Sequence, residues 1–139
     1  MDLQKPATVL HYWQRAYSFY GAARALAELD DDPPAYAQAI GLLAVHACIA
    51  LADAVLVGVG ERQAKPEDHG EAARRLHGYC TAKKVEDAGL KHFEWLLGKK
   101  TLFSYGQRGV DEMELLVAKT KMEQFFAWAS RAFPEVARL

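Results

Sequence analysis

The segment Gly89–Gly109 carries the side chains whose types and spacing best fit a ligand site. It reads GLKHFEWLLGKKTLFSYGQRG, and residues 83–108 hold six Lys and Arg against three Asp and Glu. A basic helix end followed by an exposed aromatic ring can hold a phosphate and stack a nucleic-acid base. The candidate ligand-binding residues are therefore Lys99, Lys100, Tyr105 and Arg108, with Asp53 added from an earlier helix.

A structural interpretation of the same residues stays open beside this one. Lys99 and Lys100 would complement the dipole at a helix C-terminus, and Phe103 and Tyr105 would pack against the end of a helical bundle. Judged on charge pattern alone, this structural interpretation is favoured over a ligand site.

The other reactive side chains form no recognisable catalytic or metal-binding motif. His77 and Cys80 share a helix face, but no Glu-x-x-His pair accompanies them, as a di-iron bundle requires. The sequence has no Gly-x-Ser-x-Gly motif, and Gly58-Val59-Gly60 follows a predicted helix rather than a strand. His11, His69 and His92 fit surface or boundary positions. We predict no catalytic residue, no metal site and no cofactor.

The segment Ile40–Gly60 must position these residues, because it is the most apolar stretch of the chain. Its only strongly polar side chains are His46 and Asp53, so it predicts a helix buried on nearly every face. The segment is long enough to span a bilayer, but Asp53 is costly at that depth and the Ala and Gly residues contribute little hydrophobic gain. We predict the central helix of a soluble protein, in which His46 is a buried, neutral, structural residue.

Apolar residues at helical spacing predict the other elements. A first helix covers Thr8–Leu29, the central helix begins near Pro34, a short third helix follows Pro66-Glu67-Asp68, and a fourth ends at Lys99-Lys100. A loop is predicted over Thr101–Gly109. The last helix starts at Asp111, with capping-box-like spacing to Glu114. Its inward stripe is Leu115, Ala118, Met122, Phe125, Phe126, Ala129 and Phe133.

These elements predict one all-α domain over residues 1–139: an up-and-down helical bundle of four main helices plus a short additional helix. The chain has two cysteines without paired spacing, a net charge of -1 and no signal-peptide pattern at its N-terminus. We therefore expect a reduced, cytoplasmic protein.

Residues 1–61 carry 3 Lys and Arg against 7 Asp and Glu, and residues 62–139 carry 14 against 11, so an anion would bind the second half.

Alternating helix directions would place Asp53 near the basic segment. If each helix reverses the one before it, the second and fourth run the same way, and Lys99-Lys100 lies at the end of the bundle that holds Gly60. At 1.5 Å per residue, Asp53 would be about 10 Å from that end and His46 about 21 Å. We therefore expect Asp53, rather than His46, to accompany Lys100.

The order of these features resembles a HEPN domain over roughly Thr8–Phe133. It combines an aromatic first helix, an Ala-rich second helix containing His46-Ala-Cys-Ile-Ala-Leu-Ala-Asp53-Ala, a Leu-Leu-x-Lys-Lys…Tyr-Gly passage and an aromatic final helix. The resemblance implies an up-and-down bundle that commonly forms homodimers. Many HEPN domains are ribonucleases in toxin–antitoxin, CRISPR or other defence systems, and others bind nucleotides or partner a nucleotidyltransferase.

The sequence departs from the family's ribonuclease motif, which argues against RNA cleavage. Ribonucleases of the family carry an arginine followed four to six residues later by a histidine, and the matching positions here are Lys100 and Tyr105. A phenol, with an ordinary pKa of about 10, is a poor general base at neutral pH. We expect a non-catalytic homodimer that binds a nucleotide, RNA or a protein partner. The alternatives are a degenerate metal-independent ribonuclease and an interaction subunit for a nucleotidyltransferase.

Overall fold

The computed structural model describes residues 6–29, 36–65, 68–106 and 108–136, and within these ranges the chain is all-α, without a strand. The predicted all-α class is therefore confirmed. Six helical segments occur in the described residues: α1 (Pro6–Ala27), α2 (Ala37–Gly58), α3 (His69–Lys83), α4 (Leu90–Gly98), α5 (Lys100–Tyr105) and α6 (Glu112–Ala132).

The central helix is α2, as the apolar composition of Ile40–Gly60 predicts. Every residue of α2 from Ala47 to Val57 is buried, including Asp53. By length and composition α2 could cross a membrane, but 83% of its most apolar window is buried inside the fold, which is typical of the core helix of a soluble protein. The cytoplasmic location stays a prediction.

The ends of α3 and α6 follow from local capping. Asp68 accepts a hydrogen bond from the backbone N–H of Glu71, and Lys84 ends α3 in the left-handed conformation. Asp111 and Glu114 form the capping box that their spacing predicts. In the predicted stripe of α6, Leu115 is half-buried, and the fully covered members are Ala118, Met122, Phe125, Phe126, Ala129 and Phe133.

The extent of two elements differs from the prediction. The segment 101–109, predicted as a loop, instead begins with the helix α5, because Phe103 is completely buried and fixes that turn against the core. The third helix is longer than expected, at 15 residues. The predicted helix starts at Pro34 and at Pro66-Glu67 lie outside the described residues.

The connection after α2 does not reverse the chain as a short turn would. Residues 61–65 run back along α2 without helical structure: Gln63 donates a hydrogen bond to Asp53, and Ala64 is buried. If extended, the five residues 61–65 span about 16 Å, enough to bring the chain back past Asp53 toward the middle of α2. Because α3 begins beside His46 and its later turns lie against Val59 and Gly60, α3 runs in the same direction as α2.

The fourth helix then reverses direction and ends at the other end of the bundle. His77 of α3 forms a hydrogen bond of 2.7 Å with Glu94 of α4, and Leu97 lies beside the first turn of α3. The helix α4 therefore runs antiparallel to α3. Gln38 Nε2 donates to the carbonyl oxygen of Phe103 at 3.0 Å, which places α5 on the first turns of α2. We call this region, formed by Ala37–Gly41 and α5, the α5 end.

This path corrects the predicted geometry of the basic segment. Lys99 and Lys100 lie at the α5 end, whereas Gly60 lies at the opposite end of α2. The prediction that these lysines share an end with Gly60 was wrong, because it assumed that α3 reverses the direction of α2. The lysines therefore lie toward the half of α2 that carries His46.

Candidate functional site

Two of the candidate cations, Lys99 and Arg108, bind the same carboxylate. Lys99 Nζ lies 3.2 Å from Glu114 Oε2, and Arg108 makes two bonds to Glu114, at 2.7 and 2.8 Å. The hydrogen bond from Arg108, the largest cause, and that from Lys99 hold the pKa of Glu114 well below its ordinary value. Since Glu114 also belongs to the capping box of α6, these two cations anchor the loop before that helix.

Lys99 has a further structural contact. Its Nζ lies 5.5 Å from the centre of the Trp95 ring, one turn earlier in the chain, within the range of a cation–π interaction. For Lys99 and Arg108, the geometry therefore favours the structural interpretation that the sequence left open. A ligand phosphate would have to compete with Glu114 for both side chains.

Lys100 and Tyr105 differ from this pair. Tyr105 is 81% exposed at the last turn of α5, and Lys100 is half-buried at the first turn. Within the described ranges, Lys100 forms no ion pair with a carboxylate. These two residues thus retain a free ammonium group and a free aromatic face at one end of the bundle.

Asp53 belongs to a different group of side chains. It is 8% exposed and accepts a hydrogen bond of 3.2 Å from Gln63 Nε2, and Gln63 Oε1 accepts one from the Tyr12 hydroxyl. The charges that act on it are those of Arg15 and Arg75, not those of the basic segment. The expected acidic wall for the Lys100–Tyr105 region is therefore not formed by Asp53.

Asp53 lines a cavity of about 250 Å³ between α1, α2, the 61–65 connection and the start of α3. The cavity also contains side chains that the sequence pattern assigned to surface or structural roles. Its polar lining consists of Arg15, His46, Asp53, Gln63 and His69, and Phe19 is among its apolar residues.

Burial shifts the protonation equilibria of three cavity residues toward neutrality. Desolvation raises the pKa of Asp53 to about 6, although the hydrogen bond from Gln63 opposes the rise. Desolvation, followed by the charge of Lys100, lowers the pKa of both His46 and His69. His46 is thus the residue of α2 that accompanies Lys100, the reverse of the expected pairing. It is half-buried and its ring lies 6.0 Å from that of Phe19.

Arg15, Gln63 and His69 were not predicted from the sequence as members of a shared site. Each lies on a different element, so no spacing within the chain connects them. Residues with shifted pKa values tend to gather at functional sites, so this cavity is a second candidate site. The pKa shifts arise from burial, which only the folded chain has.

Metal binding has no obvious donor set. Across residues 6–29, 36–65, 68–106 and 108–136, no three His, Cys, Asp or Glu side chains gather closely enough to hold a metal ion. Both cysteines, Cys48 and Cys80, are buried free thiols, and burial raises the pKa of each thiol. Burial thus disfavours the thiolate, which is the nucleophilic form, at both cysteines.

No protein-family model matches this chain, and comparisons with curated proteins and with solved structures return no significant match.

Proposed function

We propose that this chain is a non-catalytic HEPN-like binding module that forms a homodimer and holds RNA or a nucleotide at the α5 end. The observation that carries the proposal is the pair of Lys100 and Tyr105: an ammonium group without an ion pair in the described residues and a ring that is 81% exposed. Such a pair offers one phosphate contact and one stacking surface.

The helix directions support the HEPN-like part of the proposal. Phe19 lies beside His46, whereas the earlier Tyr12 reaches Asp53 through Gln63, so α1 and α2 are antiparallel. Contacts between α4 and α6 join the end of one to the start of the other, at Lys99 and Glu114. Since α4 also runs opposite to α2, the helices α1, α2, α4 and α6 alternate in direction. The remaining helix, α3, is then the additional one.

The non-catalytic part follows from the residue types at the family's ribonuclease positions. Lys100 keeps a positive charge where the resemblance calls for arginine, and Tyr105 stands where it calls for histidine. A phosphate contact is retained by this exchange, whereas the proton transfer of the ribonuclease is lost.

Apolar side chains around the α5 end support the homodimer. Leu29 follows α1 and Tyr36 precedes α2, and both are more than 40% exposed. Met113 and Leu116, in the first turns of α6, are 67% and 57% exposed, and Glu114 between them binds Lys99. Exposed apolar residues gathered in one region are typical of a protein–protein interface.

The RNA part is tested by fluorescence anisotropy with labelled single-stranded RNA and labelled ATP. We expect Tyr105→Ala to weaken binding by about fivefold or more, the loss of one stacked base. We expect Lys100→Gln to reduce the slope of log affinity against log salt by about 0.7. Matched controls are Tyr17→Ala on α1 and Lys83→Gln at the opposite end, and neither should alter binding.

Equal affinities for Tyr105→Ala, Lys100→Gln and both controls would overturn this site.

Sedimentation of wild type and Leu116→Glu tests the homodimer, and a wild-type monomer at all concentrations would refute it. Progressive shortening of the RNA in metal-free buffer would support the ribonuclease alternative instead. A toxin–antitoxin or defence setting and a nucleotidyltransferase partner remain predictions from the resemblance.

A further inference from the structure

The cavity between α1, α2 and α3 is lined by hydrogen-bond donors without a partner among the described residues. His46 and His69 both line it, and neither ring forms a hydrogen bond to another described residue. Arg15, at its exposed rim, makes no ion pair within the described ranges and contacts only the ring of His11 through Nη2, at 3.1 Å, and the face of Tyr12. Among the described residues, nothing therefore occupies the two imidazole rings or the remaining N–H groups of Arg15, and these can bind a ligand.

Two positive charges, those of Lys100 and Arg15, lie near these donors, and the charge of Asp68 opposes them at His69. The charge of Lys100 contributes to the lowered pKa of both His46 and His69, so it lies close enough to be felt at each ring. Arg15 adds a second positive charge at the rim. An anion in the cavity would be attracted by both charges, and a cation would be repelled.

One acceptor lines the same cavity. The carboxyl of Asp53 is held by Gln63, whose amide oxygen in turn accepts from Tyr12, so its position is fixed from two helices. Gln63 occupies Oδ2 only, and no described residue donates to Oδ1. An ionised carboxylate only accepts hydrogen bonds, so an anion beside it must carry a proton of its own.

The ligand must also be small. At about 250 Å³ the cavity is below the range of about 300–1,000 Å³ typical for drug-sized ligands. It can take a tetrahedral oxyanion or the end of a larger molecule, but not a whole nucleotide.

We propose that this cavity binds a phosphate group that carries a proton, with Arg15, His46 and His69 donating to its oxygens and Asp53 accepting from its hydroxyl. Phosphate retains a proton near neutral pH, and so does a phosphate monoester in mildly acidic solution, where the second pKa is about 6. Sulfate has the same shape but no proton to give. Asp53 therefore selects phosphate over sulfate, and Lys100 supplies background charge without a direct contact.

The proposal does not depend on RNA binding at the α5 end. Tyr105 is not part of the cavity, so Tyr105→Ala should abolish stacking and leave phosphate binding unchanged. The failure of one proposal can thus be distinguished from the failure of the other.

The test is isothermal titration calorimetry of the intact chain at pH 7.5, where Asp53, with a pKa of about 6, is ionised, and inorganic phosphate, methyl phosphate, sulfate and acetate are separate probes. We expect phosphate to bind at least about tenfold more tightly than sulfate, since one charge-assisted hydrogen bond separates them. Arg15→Gln, His46→Asn and His69→Asn should each weaken phosphate binding by about tenfold. Methyl phosphate has largely lost its proton at this pH, so we expect it to bind no more tightly than sulfate, and methyl phosphate as tight as inorganic phosphate would contradict the role of Asp53.

Asp53→Asn gives the sharpest result, because its effect has a different sign for the two anions. The amide removes the repulsion of sulfate and can donate to it, so we expect the preference for phosphate over sulfate to fall below about threefold. His77→Asn and Arg131→Gln, outside the cavity, are the controls and should bind phosphate like wild type.

Histidine NMR keeps the test independent of folding defects. In the wild type, phosphate should shift the ring signals of His46 and His69 but not those of His77. The proposal fails if phosphate moves neither ring, if sulfate or acetate binds wild type as tightly as phosphate, or if the cavity variants that melt like wild type keep full phosphate affinity.

Discussion

Phe103 is in direct contact with the backbone of α2 at Gly41: a Cβ added to Gly41 would lie 2.6 Å from Phe103 Cδ1. No other residue type fits there without displacing a ring that is completely buried. This contact fixes α5 on the first turns of α2, and with it the location of Lys100 and Tyr105.

Gly41→Ala should destabilise the protein by about 1–3 kcal/mol, the usual cost of adding a methyl group to a packed core. Gly21→Ala is the matched control, because nothing lies within 4 Å of its added Cβ, and alanine in an exposed helix should stabilise by about 0.5–1 kcal/mol. Urea unfolding of the two variants measures both effects. Equal stabilisation by both substitutions would contradict the contact.

Asp53→Asn should stabilise the protein at pH 7.5 and have little effect at pH 4. The pKa of Asp53 is raised to about 6 in the fold, so the folded protein holds this proton more tightly than the unfolded chain does. Stability is therefore lost as pH rises from about 4 through 6, by an upper value of about 3 kcal/mol. Denaturation at several pH values should show that loss in wild type and in Glu135→Gln, an exposed control, but not in Asp53→Asn.

Lys100→Gln should raise the pKa of both His46 and His69, since it removes one of the two largest causes of their lowered values. The lowered pKa means that the unfolded chain binds protons more readily, so these rings cost stability as pH falls below about 6.5. NMR titration of the ring signals measures the change. Lys119→Gln is the control, and an identical shift in both variants would rule out a specific effect of Lys100.

Glu114→Gln should lower the melting temperature at pH 7, because it removes the carboxylate shared by Lys99 and Arg108 and weakens the capping box. Arg108 holds the pKa of Glu114 well below its ordinary value, so the pairing persists in mildly acid solution. The difference in melting temperature from wild type should thus stay constant from pH 8 to about pH 5 and shrink only in stronger acid. Glu112→Gln, in the same turn, should melt like wild type throughout.

Much of the fold could be predicted from local sequence pattern. The apolar composition of Ile40–Gly60 requires burial whatever packs around it, and α2 is accordingly the central helix. The spacing of Asp111 and Glu114 determines a capping box from four residues alone. Period and capping depend on neighbours in the chain, so they can be read without knowledge of tertiary contacts.

The candidate site depended on information that is not local. The direction of α3 is decided by residues 61–65, which run back along α2 and contact it through the hydrogen bond from Gln63 to Asp53. A polar stretch of that length could also form a tight turn, and only packing against α2 selects the path that returns along that helix. For this reason Lys100 accompanies His46 rather than Asp53.

The sequence by itself determined that the chain is helical, which helix is central and which side chains carry charge or aromatic surface. Only the tertiary structure decided which of them act together: Glu114 occupies Lys99 and Arg108, and the cavity joins Arg15 to His46, Asp53 and His69. The physical reason is that helix formation depends on interactions within a few residues, whereas the pairing of charges depends on which helix ends meet.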